Sequence, residues 1–311
     1  MRNAPQIHFK PWKGIMLAGL LLATLPGSLL AQMNMSPYFT TIDRPLEKHS
    51  LMLMALPDFQ RARFGSNFAT GMLMAEYGIT SRWTAGVMAE GQKISGMPAT
   101  YGGARFNTYV HPFRDDRFLN LTLYGEYEDL NGAALYKMEV AGFGPEDLTE
   151  PLGLARRTPV RTFEQRVIVD HDWDRLSATF NFIRETALQA PRGSDYGYAL
   201  GVFVKPPSMS GSMAGMADTA GPTARSMSRL GYGVELTGAL GDNERFGFYR
   251  NAQQHYIGPV FTYDLAPRWS VRLEPAFGLS KVSDPFMLRT GVAYMFGGRG
   301  SKAADKAHAQ M

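Results

Sequence analysis

Cysteine is absent from all 311 residues. That excludes disulfides, thiolate metal sites and a lipidated N-terminal cysteine. Long apolar runs are also missing: beyond residue 31 nothing approaches the ~18 consecutive apolar residues of a membrane-spanning helix. Charge of one sign is scarce. The full chain carries +4, and Arg2, Lys10 and Lys13 supply three of those charges without a compensating acid before residue 32, so the remainder carries +1. So small a surplus gives no basis for a nucleic-acid partner.

Signatures of catalysis are absent too. No Gly-x-Ser-x-Gly elbow and no His-Glu-x-x-His zinc motif occurs. The histidines beyond residue 31 are His49, His111, His171, His255 and His308. His171 lies between Asp170 and Asp172 in "VDHDW" and reads as a solvated corner at a turn. His255 in "NAQQHY" has no serine in a recognisable setting nearby. The glycine-rich "GGARFNTYV" and "MFGGRGSK" lack phosphate-loop spacing, and "NLT" at Asn120 falls inside a strand pattern. No cofactor is expected.

The N-terminus is informative by what it contains. A basic start over residues 1–14, the apolar run "IMLAGLLLATLPGSLLA" (15–31) and a small residue at its end describe a secretory signal peptide, cut after Ala31. Residues 32–49 then form an N-terminal periplasmic segment. The whole chain is 45% hydrophobic, with 19 Phe, 14 Tyr and 33 Gly, which suggests β-structure.

Alternation bears this out along the chain. In "WSVRLEPAFGL" Trp269, Val271, Leu273, Pro275, Phe277 and Leu279 share one face, and Ser270, Arg272, Glu274, Ala276 and Gly278 share the other. Pro275 is a blemish, since it removes a ladder donor. "LNLTLYGEYE", "LSATFNF", "YGYALGVFV" and "LGYGVELTG" follow the same grammar, while "QHYIGPVFTY" is equivocal. About twelve such segments run from "SLMLMALP" to "MLRTGVAYMF". Strands of about ten residues with charge on the less oily face predict an all-β, antiparallel transmembrane barrel over residues 50–296.

Two corners are nearly one phrase, "YGITSRW" at Tyr77 and "YDLAPRW" at Tyr263. With "HDWDRL" they place Trp83, Trp173 and Trp269 at short turns of equal parity. An indole favours the headgroup boundary, so these three read as membrane-interface aromatics along one rim. The longer connections 131–158 and 241–251 fall on the opposite side. The Met/Gly/Ser-rich 206–227 is long yet shares the short-turn side, and reads as a flexible loop.

The closing strand "MLRTGVAYMF", alternating up to Phe296, resembles the terminal signature of bacterial outer-membrane β-barrel proteins. Here a tail, 297–311, follows that Phe. The resemblance covers the chain after the signal as architecture and implies a porin-like or transporter-like protein of a Gram-negative outer membrane, with lipid and small solutes as partners. It specifies no particular family and no oligomeric state.

The polar faces put Glu76, Glu90, Arg105, Glu126, Glu164, Arg166, Glu235, Arg272, Glu274 and Arg289 in the lumen. Interleaved charges of this kind either line a wet pore or pair and close a narrow barrel. The candidate functions are therefore a passive channel for small solutes or a closed barrel acting through its loops. An outer-membrane enzyme is the weaker reading. Alternation also turns Met52, Met54, Met72, Met74 and Met88 inward, and thioethers suit soft ions such as Cu(I). Packing is the plainer use of a flexible thioether.

Overall fold

A computed structural model describes residues 37–42, 45–63, 65–113, 119–130, 160–173, 175–189, 193–205, 229–266 and 268–297. The signal peptide, the 131–158 connection, the 206–227 loop and the tail beyond residue 297 lie outside the described residues. Twelve strands are present: β1 Leu51–Arg61, β2 Phe68–Thr80, β3 Trp83–Ile94, β4 Thr100–Val110, β5 Asn120–Leu130 and β6 Val160–Trp173. The second half comprises β7 Leu176–Ala187, β8 Ser194–Val204, β9 Leu230–Asp242, β10 His255–Ala266, β11 Trp269–Gly278 and β12 Phe286–Phe296. Among the described residues no helix is long and apolar enough to cross a membrane.

Each strand pairs antiparallel with its neighbours in sequence, and β1 closes on β12 with Leu51 opposite Phe296 and Arg61 opposite Phe286. Closure leaves no open edge, so every strand has a ladder on both sides, as a lipid environment demands of a spanning sheet. The period-two pattern then sorts side chains without exception on the best-patterned strands. On β5 Asn120, Thr122, Tyr124, Glu126 and Glu128 are buried inside, while Leu123 faces out. Around the outside run Leu73, Val87, Phe106, Val167, Phe180, Val234, Leu273 and Val292, all exposed. In water such a surface would aggregate; in a bilayer it is the lipid contact.

The equivocal stretch 254–263 becomes β10, and the structure explains why its pattern is blurred. Tyr256 and Val260 point inward and are fully buried, Tyr256 against Ala276 and Met287 and Val260 against Tyr38 and Phe203. The interior there is packed with apolar groups, so oily residues appear on both faces. Pro259 falls opposite Pro275 in the register that pairs Ile257 with Phe277 and Phe261 with Leu273, and the pairing lapses between those points. Neither proline has an N–H to give, so the predicted blemish is a local gap in the ladder.

Trp83 starts β3, Trp173 ends β6 and Trp269 starts β11, which places all three on one rim, each partly exposed. The Trp83 indole N–H donates to Thr108 Oγ1 at 2.8 Å. Trp173 packs edge-on to His171 (4.3 Å between centroids) and Trp269 to Tyr294 (4.7 Å), so His171 is partly covered at that corner.

Part of the segment 32–49 does not lie outside the barrel: Tyr38, Thr40 and Thr41 are buried at 1–2% exposure, in contact with inner-face residues of β6, β8, β9 and β12. The chain returns to the rim at Leu46, whose N–H donates to Thr84 Oγ1 (2.8 Å), and reverses at His49, where φ is +62°. There His49 N–H donates to the Gly78 carbonyl (2.7 Å) and the Gly78 N–H to that of Ser50 (2.9 Å), which hands the chain into β1. Nothing in "SPYFTTI" marks it as an interior segment, because it has neither period two nor a charge of its own.

Candidate functional site

Alternation on ten-residue strands brings charges to the middle of the barrel from far apart in sequence. All ten charged residues expected in the lumen are on the inner face and buried. They form two connected groups.

The first centres on Arg105 of β4. Its guanidinium reaches Glu90 of β3 at 2.6 Å, Glu126 at 3.4 Å and Glu128 at 3.6 Å, both of β5. One cation among three carboxylates holds three strands in register electrostatically. Beside it, Glu76 of β2 accepts from Asn107 Nδ2 (2.8 Å) and the Tyr109 hydroxyl (2.9 Å), so two neutral donors stabilise this buried carboxylate. Gly86 makes room for this contact: a Cβ there would lie 2.4 Å from Asn107 Oδ1 and 2.7 Å from Glu76 Cγ.

The second group is a ring that grips the N-terminal segment. Glu235 of β9 accepts from the backbone N–H groups of Phe39 (3.1 Å), Thr40 (2.9 Å) and Thr41. Asn181 of β7 takes the Ile42 N–H at 2.9 Å and returns a bond to the Ile42 carbonyl at 3.1 Å. Arg272 of β11 donates to the Tyr38 carbonyl, Arg166 of β6 to the Thr40 carbonyl, and Arg289 of β12 to Thr40 Oγ1 at 2.6 Å. Arg166 also pairs with Glu164 (2.6 Å), and Arg289 with Asp58 (3.2 Å) and Glu274 (3.6 Å). Buried ions require this density of partners, since the desolvation cost is otherwise unmet.

The five methionines also face inward, and they are grouped. Met52, Met54, Met72, Met74 and Met88 line one cavity of about 150 Å³, together with Glu76, Glu90, Glu126, the four arginines and residues Tyr38 to Ile42. Met52 and Met54 pack with Leu46 and Ala293. Arg272 also donates to the Met54 sulfur. Among the described residues no group of three or more His, Asp or Glu is placed to hold a metal ion.

Sequence reasoning passed over several of these partners. Asp58 continues the inward series Met52, Met54, Leu56 past Pro57, and Glu128 continues that of β5, so both were within reach of the same period-two rule. Asn107, Tyr109 and Asn181 are neutral, so their place on a polar face does not mark them as partners. Only the carboxylates and carbonyls they face reveal their role.

The fold and the charged interior are those of the outer-membrane β-barrel class. No family model and no curated protein sequence matches the chain. Among solved structures it is similar to an outer membrane channel from Pseudomonas putida F1, with TM-score 0.52 and 9% identity over 81% of this chain and 97% of that one. A KdgM porin aligns with TM-score 0.48 and 9% identity, covering 79% of this chain and 99% of that one. A NanC porin aligns with TM-score 0.47 and 10% identity over 78% and 98%. At these identities the likeness is one of fold.

Proposed function

We propose that this protein is an integral barrel of a Gram-negative outer membrane, exported by the signal peptide at residues 1–31, that conducts small solutes passively. The observation that carries the reading is the two-sided wall: an apolar exterior around an interior whose charged groups and methionines border a common cavity. The Pseudomonas protein that shares the fold is itself described as a channel, which supports the reading by precedent. Gln92 and Thr179 add polar side-chain atoms that are buried without a protein partner among the described residues, as suits a polar route. We read the protein as a non-enzyme, with lipid and small solutes as its partners and no role in binding nucleic acid.

The closed-barrel reading has its own support, because residues 37–42 and the ion pairs fill much of the lumen. Soft-metal passage has less, since the Arg272 guanidinium lies against Met54 and sets a cation where Cu(I) would bind. Planar-bilayer recording of the folded protein decides between channel and closed barrel. Discrete conductance steps support the channel. Silence from a folded barrel, both with residues 37–42 and with them deleted, leaves the closed barrel.

A further inference from the structure

The ring around residues 37–42 directs most of its hydrogen bonds to main chain, with Arg289 to Thr40 Oγ1 as a side-chain contact. One carboxylate, Glu235, takes three successive N–H groups, the Asn181 amide brackets Ile42 from both sides, and Arg272 and Arg166 take the carbonyls of Tyr38 and Thr40. The chain bends over residues 39–41, and the bend turns three successive N–H groups toward the one carboxylate. We infer that this ring is a binding site for a bent peptide main chain, and that residues 37–42 occupy it as a resident plug that shuts the channel proposed above; the inference rests on that channel reading.

Two further features make the site a built one. The wall is recessed for the segment. A Cβ at Gly201 of β8 would come within 2.3 Å of the Tyr38 ring; further along, where the chain leaves the ring, one at Gly78 of β2 would come within 2.1 Å of the Glu47 carbonyl oxygen. Neither glycine has a positive φ, so what requires glycine there is space and not backbone conformation. Tyr38 completes the recess edge-on to Phe203 (6.0 Å, 72°) and against Val260, and Phe39 lies under the guanidinium groups of Arg272 (5.5 Å) and Arg289 (5.0 Å). Arginine over an aromatic face is an attractive contact that a departing segment would give up.

The plug is separable from the barrel. The contacts of residues 37–42 run to side chains of the ring, whereas the strand ladders begin at Leu51. The segment can therefore leave without opening a strand pair. With it in place, the cavity beside it is about 150 Å³, below the ~300 Å³ at which small-molecule pockets begin. Its departure also frees Glu235, Asn181 and the arginine donors now spent on backbone.

The test compares bilayer conductance of the full chain, of a chain lacking residues 37–42, and of Gly201→Ala, each with folding checked by heat-modifiable gel mobility. A synthetic peptide of residues 37–46 is then added to the shortened protein. Deletion is expected to raise conductance several-fold, and Gly201→Ala to raise it by less, because its Cβ displaces Tyr38. The peptide is expected to block the shortened channel, and a Tyr38→Ala peptide to block it more weakly. Equal conductance of full and shortened chains overturns the plug and leaves the channel reading intact. Silence of both overturns the plug and the channel together. A shortened channel that conducts but ignores the peptide overturns the peptide site. Should the deletion fail to fold, Gly201→Ala against the full chain decides the same question, with unchanged conductance counting against the plug.

Discussion

The two walls of the lumen solve the same problem with different chemistry. Along β1 to β3 the inner face is where the thioethers gather, with Met52, Met54, Met72, Met74 and Met88 beside Glu76 and Glu90. Along β3 to β6, and again from β9 to β12, it is carboxylate and guanidinium, with Arg105, Arg166, Arg272 and Arg289 each paired or hydrogen-bonded. The thioether wall fills space without demanding geometry, because methionine adapts its three rotatable bonds to an irregular gap. The ionic wall fills space only if every partner is present. One wall should tolerate change and the other should not.

The largest expected effect follows from that contrast. Arg105→Ala leaves Glu90, Glu126 and Glu128 buried around a missing cation and should cost ~3–5 kcal/mol, the range for breaking a buried pair. Met74→Leu should cost less than ~1.5 kcal/mol, as volume-conserving swaps do. Denaturant titration of the folded fraction measures both, and similar costs would erase the distinction between the walls. Next in size is a pair of glycine substitutions. Gly86→Ala drives a Cβ into Asn107 and Glu76 and should destabilise by ~1–3 kcal/mol, the usual range for overpacking. Gly71→Ala, with nothing within 4 Å of its Cβ, should be close to neutral in the same titration.

Smaller effects concern what passes. Inside the strands buried carboxylates outnumber buried arginines eight to four among the described residues (Glu76, Glu90, Glu126, Glu128, Glu164, Asp170, Glu235 and Glu274 against the four arginines). Acid-rich linings favour cations, so the reversal potential in a potassium chloride gradient should take the sign of potassium preference. Chloride preference would mean that the carboxylates do not set the field. The smallest effect is expected from replacing Met52, Met54, Met72 and Met74 together with Leu. Copper and silver sensitivity of cells should stay unchanged once folding is confirmed, and a clear change would revive a soft-metal role for the thioether wall.

The contrast between the walls also explains what could be read from the sequence. Strands such as β5 and β11 show one oily face outward and one polar face inward, so their sidedness and their charged residues follow from period two alone. The strand number follows by the same rule. β10 is harder because Tyr256 and Val260 pack an apolar part of the interior, which removes the contrast between its faces. The ion-pair partners depend on register between strands that can lie far apart in sequence, 231 residues in the case of Asp58 and Arg289. Single-strand periodicity carries no such information. The N-terminal segment was illegible for a different reason: it is held largely through its backbone, and a backbone contact leaves no mark on residue type.

The central claim is that the space between the two walls is the aqueous route and the opposite face of the same strands is lipid contact. A chain without native cysteine allows a direct test at two adjacent positions of β2, Leu73, which is 66% exposed on the outside, and Met74, which lines the cavity. Each is replaced singly by Cys in the folded, membrane-inserted protein lacking residues 37–42, and a small water-soluble methanethiosulfonate is added during conductance recording. The account predicts that the thiol in Met74→Cys reacts and that the reaction lowers the conductance, while the thiol in Leu73→Cys stays unreactive. Reaction in Leu73→Cys alone, or reaction in Met74→Cys with no change in conductance, would contradict it.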